Sequence, residues 1–145
     1  MKLRITDLSS LEVNHKRNGL YVTRNQFPLL SRILISAIFI WSGIGKIMNP
    51  IGTQEYMSAY GMKFTSVLLV AAIVVEVLGG LSLLLGIKPK YGAIALALFL
   101  IPATFIFHTD FSDYIQQIMF MKNLAILGGL LMLIQHGGGN IVLRR

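Results

Sequence analysis

A bundle of four antiparallel transmembrane helices is the fold this sequence predicts: an all-α integral membrane protein with both termini in the cytoplasm. Three observations lead there. Hydrophobic residues make up 54% of the 145 and charged residues 13%, about half the charged share of a soluble domain. Four apolar stretches of near membrane length follow one another with short breaks between them. The bases are also unevenly placed. Six precede or begin the first stretch (Lys2, Arg4, Lys16, Arg17, Arg24 and Arg32), two sit in the second break (Lys88 and Lys90) and two at the end (Arg144 and Arg145), leaving three of the thirteen elsewhere. An even number of spans with cytoplasmic ends puts all of the clustered bases on one side of the membrane. The net charge of +7 therefore reads as a topology signal, and no nucleic-acid partner is expected; the bilayer is the expected partner. With no cysteine the chain forms no disulfide, thiolate metal site or thiol relay, and no spacing of other ligands predicts a metal site.

Residues 1–28 form the one long polar segment and read as a loose cytoplasmic extension, because they hold neither the apolar core nor the small-residue cleavage site of a signal peptide. The first span covers residues 29–47, with Arg32, Ser36, Phe39, Gly43 and Lys46 on one helical face. Arg32 reads as a base snorkelling to the interface. Lys46 ends a Gly43-Ile44-Gly45-Lys46 run, where a second backbone can approach closely. Asn49-Pro50-Ile51-Gly52 stops that helix, and residues 48–64 read as an external loop whose Tyr56, Tyr60 and Phe64 are spaced as an aromatic belt, part of it lying on the bilayer or capping the bundle.

The second span covers residues 65–87 and the third 91–107, joined by the basic turn Gly86-Ile87-Lys88-Pro89-Lys90. Pro102 kinks the third span and frees a carbonyl one turn earlier, which Thr104 or a neighbouring helix would satisfy. His108 ends the span ahead of an acidic, aromatic loop holding Asp110, Phe111, Asp113 and Tyr114. The fourth apolar run, 124–134, reaches membrane length only by including residues 118–123, which brings Lys122 and Asn123 into the protein. Residues 141–145 are a basic end.

Glu76 is the one charged side chain within residues 65–87, a stretch that as a helix is roughly 33 Å long against a hydrocarbon core of about 30 Å. A carboxylate at that depth costs about 2.5–3.5 kcal/mol on insertion scales, so it should face protein or water. Ala72, Glu76, Gly79, Gly80 and Leu83 share a face, which puts the acid on a stripe of small residues where another helix packs. Counted from the cytoplasmic helix ends, Glu76 lies roughly 16 Å deep, Lys46 and Lys122 roughly 20 Å and His108 roughly 25 Å. All four spans thus bring a polar group toward the outer half of the bundle. Either lysine is placed to pair with Glu76, and a buried ion pair that only fixes helix register is the plain structural alternative to a ligand site. Ala93 and Ala97, with Ser82 and Gly86, offer further small-residue edges, the basis for expecting a homodimer or a complex with a soluble enzyme.

The pattern Arg32, Gly43-x-x-Lys46, Glu76-x-x-Gly79-Gly80, Gly86-Ile87 and His108, spread over four spans with a terminal glycine run, resembles the DoxX family of small bacterial membrane proteins over about residues 29–140. The resemblance implies a multi-pass protein of the bacterial inner membrane and an oxidoreductase role, since a namesake member is a subunit of a thiosulfate:quinone oxidoreductase, although many members have no known activity. On that footing Lys46, Glu76, His108, Lys122 and Asn123 are the candidate ligand-binding residues. Lys46 or His108 would donate to a quinone oxygen and Glu76 would relay a proton, which makes Glu76 and His108 the candidate catalytic pair. Without cysteine, electrons would have to come through a quinone, another cofactor or a soluble or membrane partner. The competing reading is a noncatalytic membrane adaptor, or a lipid or small-metabolite binder, whose buried pair holds the bundle together.

Overall fold

The computed structural model describes residues 5–139, with side chains from residue 26 onward. It contains five helices: α1 (Ile5–Met48), α2 (Pro50–Ala59), α3 (Thr65–Leu85), α4 (Pro89–Phe107) and α5 (Tyr114–His136). Among the described residues four segments are long and apolar enough to cross a membrane: Gln26–Met48 of α1, then α3, α4 and α5. The expected four-span all-helical bundle is therefore present. Around the bundle α1 packs on α3, α3 on α4, α4 on α5, and a smaller seam returns from α5 to α1, while among the described residues the diagonal pairs make no close backbone approach. Phe39, Leu83, Leu96, Leu100, Leu130 and Leu133 fill the centre.

Element boundaries depart from expectation where a cap or a proline opens the next helix. Asn49 and Pro50 do stop α1, but they also start α2: the Asn49 side chain accepts from the Gly52 N–H at 3.1 Å, and Pro50 occupies the first helical turn. The stretch expected as an external loop thus carries a helix of 10 residues. Pro89 likewise opens α4 two residues before the expected start. Asp113 caps α5 by accepting from the Ile115 N–H at 2.8 Å, so the fourth span begins at Tyr114 rather than 118. At the other end, α1 continues unbroken back to Ile5 where a loose extension was expected; between Ile5 and Pro28 the sequence has no proline to stop it. Residues 1–4 and the basic end at 141–145 lie outside the described residues.

Without a hydrophobic drive between helices in lipid, spans associate through close packing and buried polar contacts. The predicted small-residue stripe of α3 is buried as a unit, Ala72, Glu76, Gly79, Gly80 and Leu83 together with Leu69. A Cβ on Gly80 would come within 3.0 Å of Ile40 on α1, and one on Gly92 within 3.0 Å of Ser82 on α3. Ala93, Ala97 and Gly86 are buried in the same way. The edges expected to serve a homodimer are therefore consumed by packing within one chain, chiefly between α3 and α4.

Arg32 corrects another expectation. It does not snorkel: it is 1% exposed, donating from Nε to the Leu83 carbonyl at 2.7 Å, from Nη2 to Leu84 at 3.2 Å and from Nη1 to Gly138 at 3.0 Å. The last carbonyls of a helix have no partner within it and carry the negative end of its dipole. A guanidinium, with five donors in a fixed fork, can serve several at once. Arg32 thus ties α1 to the ends of α3 and α5. Replacing it with alanine leaves those buried carbonyls short of donors and is expected to cost about 3–5 kcal/mol. Arg32→Lys should recover only part of that loss, because an ammonium cannot reproduce the fork. Thermal unfolding of both variants in one detergent measures the difference.

Candidate functional site

The sequence leaves two lysines able to pair with Glu76, and the structure selects Lys46. Lys46 lies in the last turn of α1, and Glu76 projects from the middle of α3. The close approach that allows them to meet is made at Gly43, where a Cβ would come within 2.7 Å of the Val77 side chain. Lys46 Nζ stands 3.0 Å from Glu76 Oε1 and 2.8 Å from Oε2. Ser42, one turn before Lys46, closes a ring: it accepts from Nζ at 2.8 Å and donates to Oε1 at 3.1 Å. The carboxylate is 4% exposed and the lysine 22%.

The two carboxylate oxygens are not equivalent. Oε1 meets both Lys46 and Ser42, whereas Oε2 meets the Lys46 ammonium alone, at 2.8 Å. Ion pairs at such depth are rare in membrane proteins, so one in a cavity wall calls for a functional explanation.

That wall belongs to a cavity of about 1010 Å3 at the α2 end of the bundle, at the upper end of the range for small-molecule sites. Lys46, Glu76, His108, Lys122 and Asn123, the five residues singled out from the sequence, all line it. They reach it from four spans, and their local settings differ. Asn123, 9% exposed, donates from Nδ2 to Thr104 Oγ1 at 3.1 Å; Thr104 in turn donates to the Leu100 carbonyl at 2.6 Å. Thr104 thus serves the carbonyl one turn behind itself rather than the one that Pro102 leaves without its usual donor. His108 Nδ1 lies 2.7 Å from Gln116 Oε1. A ring that donates from Nδ1 presents Nε2 as an acceptor when neutral and as a donor only when protonated. Lys122 is exposed and reaches Met119 Sδ at 3.0 Å rather than Glu76.

Much of the remaining lining is apolar, and α2 contributes to one side of it. Tyr56, which lines the cavity, stacks on Phe107 with ring centroids 5.3 Å apart, and Tyr60 meets the same ring edge-on at 5.1 Å. This cluster joins α2 to the end of α4. Partial burial and the neighbouring Tyr60 hydroxyl push the Tyr56 phenol up to about 12, so it stays a neutral donor in any physiological range. Gln54 Oε1 accepts from Ser66 at 2.7 Å and fastens α2 to the start of α3.

Sequence reasoning missed three contributors. Ser42 sits four residues before Lys46, a spacing that predicts neighbouring side chains on a helix. Gln116 gave no signal, because its pairing with His108 depends on how the loop folds back. Tyr56 was read only as an interface anchor, since α2 was not foreseen.

The family model described as DoxX matches residues 27–109. Inner membrane protein YqjF of Escherichia coli (strain K12) is 40% identical over 111 residues, 77% of this chain and 84% of that protein. Inner membrane protein YphA of the same organism is 30% identical over 122 residues, 81% of this chain and 87% of that protein. No solved structure matches the chain. The chain belongs to the DoxX family, and with its four apolar spans it is a multi-pass inner-membrane protein.

Removing the carboxylate charge leaves an ammonium facing an apolar cavity. Glu76→Gln is expected to cost on the order of 2–4 kcal/mol, toward the low side for a buried pair because Lys46 keeps some access to water. A Glu76→Gln, Lys46→Met double variant should recover most of that loss, as removing a whole pair is often nearly neutral. Thermal melts of the parent, both single variants and the double variant close the cycle, and additive losses would mean that the pair carries no coupling.

Proposed function

We propose that this DoxX-family protein is a quinone-linked redox component of the inner membrane, with the cavity at the α2 end taking the quinone head group and both termini on the cytoplasmic side. The observation that carries the reading is the buried Lys46–Glu76 ion pair in the wall of an apolar cavity, a lysine that can donate beside an acid that can hold a proton. A planar head group with a carbonyl oxygen and an apolar ring suits such a lining, in which a few polar groups fix orientation and apolar side chains supply contact area.

A quinone held there supplies a two-electron, two-proton acceptor. The residues divide the remaining work. Lys46 can turn one of its three donors, which face Ser42 Oγ and the two Glu76 oxygens, to a carbonyl oxygen and keep the charge beside Glu76 with the others. Oε2 of Glu76 can hold a proton and return it, and Ser42 offers a hydroxyl bridge between the pair. His108 exchanges a proton at Nε2 while Gln116 fixes the ring. Asn123 presents an amide whose position is set by Thr104. With no cysteine in the chain, the electrons come from a partner chain or a second cofactor.

Extraction of the protein, purified in mild detergent, should yield quinone in near-stoichiometric amount by ultraviolet spectroscopy and mass spectrometry. The folded Glu76→Gln, Lys46→Met variant should retain at least tenfold less. Absence of quinone from the parent, together with no thermal shift on adding a short-tailed quinone, would overturn the reading.

The orientation is tested separately. A chain that has no native cysteine allows a single label, and Ser112→Cys in the loop before α5 should react with an impermeant maleimide once only the outer membrane is opened. Labelling that requires breach of the inner membrane would reverse the topology.

A further inference from the structure

Lys122 borders two spaces. One is the interior cavity; the other is a groove of about 800 Å3 on the outside of α5, lined by Phe111, Tyr114, Gln117, Ile118, Met121 and Lys122. Apart from Lys122 the two share no lining residue, so the groove stands independently of the quinone reading.

The groove is shaped by defined contacts. Gln117 Nε2 donates to the Phe111 carbonyl at 2.7 Å, folding the loop back on the first turn of α5. The Phe111 ring packs edge-on against Phe120 with centroids 5.2 Å apart. Phe111, Tyr114, Ile118 and Met121 nevertheless remain exposed, as residues facing lipid are.

The charge is the informative part. The groove lining holds one charged side chain, the Lys122 ammonium. Among the described residues no carboxylate pairs with it: Glu76 is engaged by Lys46, and the contact of Lys122 is the Met119 thioether at 3.0 Å, a weak acceptor. Lys122 lies eight residues after Tyr114, roughly 12 Å along the helix. Side chains on a helix lean toward its N-terminus, here toward the interface where lipid phosphates lie, and Tyr114 stands at the level of an aromatic belt.

We propose that this groove binds an anionic phospholipid of the surrounding leaflet, the Lys122 ammonium meeting its phosphate and an acyl chain lying along Ile118 and Met121. The apolar walls match the chain and the uncompensated cation matches the head group. The phosphate lies at the rim, so the charge leaves water only in part and the contact keeps a favourable balance.

Native mass spectrometry of the delipidated full chain, titrated with phosphatidylglycerol or phosphatidylcholine of identical acyl chains, tests this. The parent should retain one phosphatidylglycerol with about fivefold preference, the effect of one basic residue near an anionic lipid surface. Lys122→Gln should abolish the preference and Lys122→Arg should keep it. Lys63→Gln, which alters a base outside the groove lining, should change nothing. If Lys122→Gln does not purify folded, Met121→Glu at an exposed groove position carries the same test by placing a repelling charge there. Equal retention of the two lipids by the parent, or a preference that survives both Lys122→Gln and Met121→Glu, would overturn the proposal.

Discussion

A carboxylate in the middle of an apolar span is stable only with a cation beside it, and much of this bundle results from meeting that condition. The Lys46–Glu76 contact requires α1 and α3 to run side by side at a fixed register. A one-residue slip of either helix would rotate its charge by about 100° out of reach. Small residues make the register reachable: Gly43 lets the Val77 side chain in, and Gly80 does the same for Ile40. Packing and electrostatics here specify the same helix pair, which is the consistency that singles out one structure among the bundles such an apolar chain could form.

The bundle is unequal along its length. At the end where Arg32 binds the carbonyls of Leu83, Leu84 and Gly138, the helices are drawn together by a guanidinium and by glycine contacts such as Gly129 with Ile35. At the other end α2 and the Tyr56, Tyr60 and Phe107 rings take the place of direct helix contact, and the cavity opens beneath them. Interiors resist compression because they are packed near crystalline density. A space this large sets the α2 end apart from the closely joined opposite end.

The long-range plan of this protein is legible in its sequence because membranes impose simple rules. Apolar length locates spans, and the face shared by Arg32, Ser36, Phe39, Gly43 and Lys46 is the buried face of α1. Glu76 stands out because an acid is so costly where it lies. Two kinds of feature escape such rules. Short helices such as α2 depend on a cap and a proline that equally well signal the end of the preceding helix, and only the contacts of the downstream residues separate the two meanings. The fate of a long basic side chain depends on which carbonyls lie within reach. Arg32 and Lys122 look alike as bases near the ends of apolar runs, yet one is buried and the other exposed, because α3 ends beside the first and a lipid-facing groove lies beside the second.

The Arg32 contacts also bear on how the chain is made. Its acceptor at Gly138 is synthesised 106 residues later, an interval of roughly 5–20 s at ordinary elongation rates. The Arg32 contacts to Leu83 and Leu84 become possible once α3 is made, and the one to Gly138 only after α5. The joint between the first span and the rest of the bundle is thus completed in stages, in the order in which its acceptors are synthesised.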